Sequence, residues 1–293
     1  VNRGRGVALV LVLWVLVLLT ALLSSFAIVA RSEAQMARQL RDATQATYAA
    51  EAGVELALLR VADTDPDWRW IPDGRPYEAE FDGARLQVEV LDETAKLDLN
   101  LADPATLTRF FLGIGLNEDD AMRAADVIVD FRDADDLTQP MGAEAEDYRA
   151  AGLPYGPKNA PFERVEELQQ VLGMTPELFQ RSAPHLTVHT GSMPNPAFAS
   201  APVLAALGFD PGEVEGMIEE RAALGELGRG LPSMPDPSGL MVGSGSGTYS
   251  IRSVAWLPDG AKAELNVTLR VAPVGVPGPA FVLLSRHEGE AYQ

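Results

Sequence analysis

The sequence predicts an α+β protein: a long N-terminal helix laid on a small antiparallel sheet, with a large helical domain inserted between the strands. Three observations predict it. Val7 to Ala30 is a run of 24 residues without a charge, and helical patterning continues from it without proline to about Arg60. Segments with strand alternation occur at 76–93 and again at 249–284, far apart in the chain. The stretch between them, 96–231, reads as helical. A long helix packed on a sheet that is split by an insertion is the simplest architecture. It divides the chain into a membrane helix at 7–30, a stalk helix at 31–62, a first sheet part at 63–95, the insertion at 96–231, a flexible loop at 232–247 and a second sheet part at 248–293.

The apolar run comes first. As a helix it is about 36 Å long, enough to span a bilayer with some tilt. Arg3 and Arg5 precede it with no balancing acid. The excess of positive charge keeps that end cytoplasmic and places the C-terminal bulk outside. A cleaved secretory signal is the alternative, but the run exceeds the roughly 7–15 residues of a signal core, and no clean A-x-A site follows it.

From Met36 the stalk carries a seam with alternating spacings of four and three: Met36, Leu40, Ala43, Thr47, Ala50, Val54, Ala57, Val61. Its small residues permit close approach to a partner helix or, for the C-terminal half, to the protein's own sheet. Asp63-Thr64-Asp65-Pro66 ends the helix. Tyr77 to Phe81 alternates, Asp82-Gly83 makes a hairpin turn, and Leu86 to Val90 alternates again. Tyr249 to Trp256, Ala263 to Val271 and Ala280 to Leu284 supply three further strands. The insertion contains a diverged repeat. Asn100 to Leu107, Leu112-Gly113 and a helix ending at Arg132 are echoed by Asn195 to Leu204, Leu207-Gly208 and a helix ending at Arg221, and the fragment from Glu166 to Thr175 is similar.

Composition excludes several classes. With 42 acids against 23 Lys and Arg, the net charge of −19 repels nucleic acid, and no segregated basic patch offsets it. The absence of cysteine excludes disulfides, thiolate metal sites and cysteine nucleophiles. Leu112-Gly113-Ile114-Gly115 has the form of a helix-hairpin-helix turn, but the residues that follow are Asn117-Glu118-Asp119-Asp120. Carboxylates there oppose phosphate, so the glycines are read as structural. His185 and His189 lie in an extended segment, where an i,i+4 pair is about 13 Å apart, too far for one ion. No catalytic constellation is found.

One acidic constellation remains. Eleven acids and two arginines lie between Glu118 and Asp147. Asp133, Asp135 and Glu144 stand at relative positions 1, 3 and 12 of a calcium-binding loop, with Asp136 beside them, although Leu137, Thr138 and Pro140 depart from an EF-hand. Hard oxygen donors favour calcium over softer metals. Spacing alone does not choose between a calcium loop and a solvated acidic loop.

Arg5-Gly6-Val7-Ala8-Leu9, the membrane helix with Trp14, Ala50-Glu51-Ala52-Gly53-Val54-Glu55, Asp98-Leu99-Asn100, Asp133-Ala134-Asp135-Asp136 and Gly142-Ala143-Glu144 occur in this order. The set resembles the minor pseudopilin K family of type II secretion (general secretion pathway protein K) over essentially the whole chain. The resemblance implies a pilin-like fold with a helix-hairpin-helix or SAM-like insertion, and no enzymatic activity. It implies that residues 1–6 are a leader, removed by a prepilin peptidase after Gly6 to leave an N-methylated Val7. Major pilins carry a glutamate at mature position five; here that position is Leu11, and the K family similarly lacks the acid. In a filament that carboxylate offsets the N-terminal ammonium of the next subunit toward the tip, and a subunit with nothing above it needs no such charge.

The implied place is the inner membrane, with a periplasmic C-terminal domain, at the tip of the secretion pseudopilus, where the subunit initiates or caps the filament during export across the outer membrane. The implied partners are the I- and J-type minor pseudopilins and could extend to the H type and the major pseudopilin; nucleic acid is not among them. The resemblance also implies a structural calcium held by Asp133, Asp135, Asp136 and Glu144, with Asp130 and Asp147 as nearby candidates. Because Gly-Ala-Glu-Ala-Glu-Asp-Tyr here is longer than the family's usual run, the later ligand is Glu144, Glu146 or Asp147. The competing reading is a membrane-anchored helix-hairpin-helix DNA receptor, which requires basic hairpins.

Overall fold

The computed structural model describes residues 5–63, 65, 67–226, 246–272 and 279–289. Most of the expected loop at 232–247, residues 1–4 of the expected leader, and Thr64 and Pro66 of the expected helix stop lie outside that description.

Helix α1 runs unbroken over Arg5–Val61, 57 residues, or about 85 Å. Thr20, Thr44 and Thr47 do not interrupt it, because their hydroxyls donate back to carbonyls three or four residues earlier. By length and composition it is able to cross a membrane. The exposed apolar side chains from Leu9 to Val29 have no protein around them, and Met36 and Leu40 are also exposed. From Ala46 onward one face is buried, and Ala49, Ala50, Val54 and Ala57 pack on the sheet. The C-terminal half of the seam therefore serves this chain's own core.

The sheet has the order β1-β2-β5-β6-β7, antiparallel throughout: β1 Asp73–Phe81, β2 Ala84–Asp92, β5 Thr248–Trp256, β6 Lys262–Val271 and β7 Phe281–Glu288. Asp82 and Gly83 both have positive φ, as a two-residue hairpin turn of the primed type requires. Strand alternation decides the faces. Ala84, Leu86, Val88 and Val90 are buried beneath α1 with Ile251, Leu265, Val267 and Leu269, while Gln87 and Glu89 face the other way. The last strand extends past the expected Leu284 to Glu288. Its polar C-terminal half carries no alternation and is ordered by pairing with β6.

The insertion joins β2 to β5, which are neighbours, so the helical domain leaves and re-enters the sheet at one place. It comprises α2 Pro104–Gly113, α3 Glu118–Arg132, α4 Ala145–Ala150, α5 Pro176–Ser182, α6 Ala201–Leu207 and α7 Pro211–Glu226. Asp103 caps α2 through Thr106 N–H at 2.7 Å, with Pro104 in its first turn, and Asn117 caps α3 through Asp120 N–H at 2.9 Å. A two-residue parallel bridge between β3 (Leu97–Asp98) and β4 (Leu186–Thr187) closes the domain. Around Phe110, Phe111, Phe131, Tyr148 and Leu168 it has its own core, which among the described residues shares no member with the core under α1.

The repeat is visible as α2–α3 and α6–α7. The two first helices meet at Gly113, where a Cβ would lie 3.2 Å from Ala205 Cβ and 3.3 Å from Pro202 Cα. The two closing arginines act alike. Arg132 donates to the carbonyls of Leu99 and Ala102, and Arg221 to those of Pro196, Phe198 and Ala199, each clamping the segment that leads into the first helix of its repeat.

Candidate metal centre

The acidic loop begins where α3 ends, at Asp133, and closes where α4 starts, at Glu144. Several of its carboxylates are used to fold it. Asp130, fully buried on the last turn of α3, accepts Gln139 N–H at 3.1 Å and Ala143 N–H at 2.8 Å. Asp126 accepts Met141 N–H at 3.0 Å. Asp135 closes a turn on Leu137 N–H at 2.9 Å, and Asp147 accepts Glu144 N–H at 2.9 Å at the start of α4. Gly142 is required by this packing: a Cβ there would stand 1.9 Å from Asp130 Oδ2.

At this loop four oxygens are buried with no hydrogen-bond partner among the described residues: Asp133 Oδ1, both oxygens of Glu144, and Asn159 Oδ1. Glu144 is 7% exposed. Burial raises its pKa first, and the negative charges of Asp130, Asp133, Asp136 and Asp135 raise it further. Burial likewise raises Asp133, with Asp135 adding to it, and Asp130, despite the backbone donors it holds. Arg132, the adjacent cation, donates to the carbonyls of Leu99 and Ala102, and its charge only partly offsets the rise at Asp133. Such an array is costly unless a cation completes it, because unpaired buried acceptors and mutually repelling carboxylates both raise its free energy.

The donor chemistry suits a hard divalent cation: all-oxygen, rich in carboxylate, with one glutamate offering both oxygens. Among the described residues no group of three or more His, Cys, Asp or Glu side chains is placed to hold a metal ion as it stands. Of the residues expected from sequence, Asp133 and Glu144 present free buried oxygens. Asp136 accepts Asn159 Nδ2 at 3.2 Å, and Asp135, Asp130 and Asp147 are engaged with backbone N–H groups. Glu146 is exposed, so of the three alternatives for the later ligand only Glu144 combines burial with unpartnered oxygens.

Asn159 was not visible in the spacing of the acids. It sits in the left-handed region at φ +50, and its N–H donates to Phe131 O at 3.0 Å, which brings its amide beside Asp136. The one sequence signal was local: an asparagine after Gly156-Pro157, a residue that tolerates positive φ.

The other candidates are structural. His185 Nδ1 lies 2.8 Å from Ser200 Oγ, and its ring meets Phe110 edge-on. His189 accepts Arg270 at its carbonyl instead. The α2–α3 hairpin turns at Gly115, φ +93, and presents exposed Glu118, Asp119 and Asp120.

Residues 84–191 match the family described as type II secretion system (T2SS), protein K. A putative type II secretion system protein K of Escherichia coli (strain K12) is 28% identical over 207 residues, covering 64% of this chain and 63% of the relative. Type II secretion system protein K of Klebsiella pneumoniae is 30% identical over 209 residues, covering 63% of each chain. The matches thus span just under two thirds of the length of these two relatives. The fold is similar to a chain in the crystal structure of the GspK-GspI-GspJ complex from the enterotoxigenic Escherichia coli type 2 secretion system, with a TM-score of 0.56 and 19% identity over 89% of this chain and 99% of that one. The K-family resemblance read from the sequence is borne out by these matches, and so is the expected α+β fold with its long N-terminal helix.

Proposed function

We propose that this protein is a minor pseudopilin of the type II secretion pseudopilus, placed at the filament tip and anchored in the inner membrane by the first half of α1. The observation that carries the reading is where the insertion sits. Trp70 N–H bonds to Arg60 O at the far end of α1, Asp92 N–H bonds to Pro72 O, and the helical domain starts immediately after Asp92. Its bulk therefore lies at the end of the molecule farthest from the membrane segment, where a further subunit would otherwise stack. In this reading the exposed stalk residues Met36 and Leu40 pack against neighbouring helices, residues 1–6 are removed by a prepilin peptidase, and Leu11 needs no charge because no subunit follows above. The protein acts by assembling and has no enzymatic activity.

Calcium is the cation this reading assigns to the acidic loop. Asp133, Glu144 and Asn159 would hold it through their free oxygens, with Asp135 and Asp136 as further donors. It would supply the positive charge the carboxylates lack and fix the path from α3 to α4.

The partners proposed are the I- and J-type minor pseudopilins, the types named in the complex that contains the structural neighbour. The test is co-expression of the three full chains and affinity capture of this one from detergent extract. Both partners are expected to be retained in a fixed ratio. Recovery of this chain alone, under conditions where the other two still bind each other, would reject the assignment.

The competing DNA-receptor reading gains nothing from the geometry, since the hairpin that would meet phosphate exposes three acids.

A further inference from the structure

Among the described residues the two hydrophobic cores share no member, and the parts that carry them are joined by hydrogen bonds. The chain leaves the sheet at Asp92 and passes through one 3-10 turn, Glu93–Ala95, before β3. Glu93 is 1% exposed. Its carboxylate accepts three donors: Lys96 Nζ, the Ser250 hydroxyl on β5 and the Thr187 hydroxyl on β4. Lys96 Nζ also donates to Ser250 Oγ at 2.9 Å. One carboxylate thus ties together the connecting turn, the sheet and the helical domain.

Beside it opens a cleft of about 820 Å³ with a mixed lining, from the sheet Glu89, Leu91, Ile251 and Arg252 and from the helical domain Val165 and Pro184. Other ties across the junction are more exposed: Arg270 donates to His189 O at 2.7 Å, and His287 stands 3.9 Å from Glu166.

We propose that this junction is a latched hinge, in which Glu93 holds the helical domain against the sheet and its release lets the domain swing so that the cleft widens. The reason lies in the kind of contact. Apolar burial is non-directional and falls away only as area is exposed, so a shared core would resist tilting over a wide range. Hydrogen bonds are short-ranged and directional, and water entering the cleft replaces them once they break. A junction held by a few such bonds has one closed arrangement and little resistance beyond it. The buried carboxylate is fully satisfied only when all three donors are in place, so losing one weakens the set as a unit. The helical domain and the helix–sheet base then behave as two rigid bodies, with the turn Glu93–Ala95 as the pivot. This inference does not depend on the secretion role.

The chain has no cysteine, so two can be introduced cleanly. Gln87→Cys, on the cleft face of β2, and Glu163→Cys, 80% exposed at its side chain in the helical domain, carry spin labels in the full chain in detergent micelles. With Glu93 intact, pulsed dipolar spectroscopy should give one narrow distance. Glu93→Gln and Thr187→Val should each add a population at longer distance while near-ultraviolet circular dichroism stays unchanged. Thr187→Val leaves the Glu93–Lys96 pair intact, so it decides the matter alone if Glu93→Gln fails to fold. An unaltered narrow distribution in folded Thr187→Val overturns the hinge.

Discussion

If the acidic loop holds calcium as proposed, chelation should lower the melting temperature of the purified full chain, and Glu144→Gln should abolish most of that response. At a calcium concentration 100 times its dissociation constant, binding to the folded state alone contributes about 2.7 kcal/mol. For a domain of this size that corresponds to roughly 5–10 °C. The sharper expectation concerns the protein without calcium. Glu144 is buried among Asp130, Asp133, Asp135 and Asp136, so in wild type its charge opposes folding until a cation arrives. Replacing it with glutamine removes that charge at nearly constant volume. The calcium-free variant should therefore melt above calcium-free wild type, while calcium-loaded wild type melts above both.

The pH dependence has the same origin. Glu144, Asp133 and Asp130 have folded-state pKa values raised above their ordinary ones, with burial as the leading cause. A raised carboxylate contributes stability that is present below its ordinary pKa and lost as pH climbs through the raised value. The calcium-free protein should lose stability over that window, and the gain from calcium should grow across it. Equal melting temperatures with and without calcium, at pH 7, would mean that the loop is merely solvated.

Gly53→Ala destabilises the protein, although the same change in an exposed helix interior stabilises by about 0.5–1 kcal/mol. Gly53 lies where α1 crosses the sheet. A Cβ there would stand 2.1 Å from Ser253 Oγ, 3.2 Å from Val88 Cγ2 and 3.3 Å from Ser253 Cβ. The first contact is relieved if the hydroxyl rotates, but the other two need the strand to give by a few tenths of an ångström in a packed helix–sheet contact. Overpacking of this kind costs about 1–3 kcal/mol, which outweighs the propensity gain. Gly53→Leu should detach the stalk altogether. Ser253→Ala should be neutral or mildly stabilising by itself, because the buried hydroxyl has no partner to lose. Combined with Gly53→Ala, it should recover part of the loss, and denaturant unfolding of the four species measures that coupling. Additive effects would show that the two residues do not compete for space.

Much of this was legible in the sequence for identifiable reasons. A charge-free run continued without proline can only be one long helix, and alternation at 77–81 and 86–90 around Asp82-Gly83 specifies a hairpin and its buried face. The echoed turns Leu112-Gly113 and Leu207-Gly208, each followed by a helix ending in arginine, betrayed the paired helices. What escaped depends on residues distant in sequence. The two-residue strands β3 and β4 are too short for any periodicity and form only because the helical domain folds back on its own entry. Asn159 joins the acids through a turn whose destination no spacing encodes. Gly53 belongs to a recognisable motif, but the reason for a glycine there, Ser253 on a strand two hundred residues later, exists only in the packed protein.

The most direct test of the pseudopilin assignment is the intact mass and N-terminal sequence of the protein extracted from its native membrane. The assignment predicts a chain beginning at Val7 with a methylated amine, the product of prepilin peptidase. A chain that keeps Arg3 and Arg5, in cells whose prepilin peptidase is active, would contradict it and leave a plain membrane-anchored protein in its place.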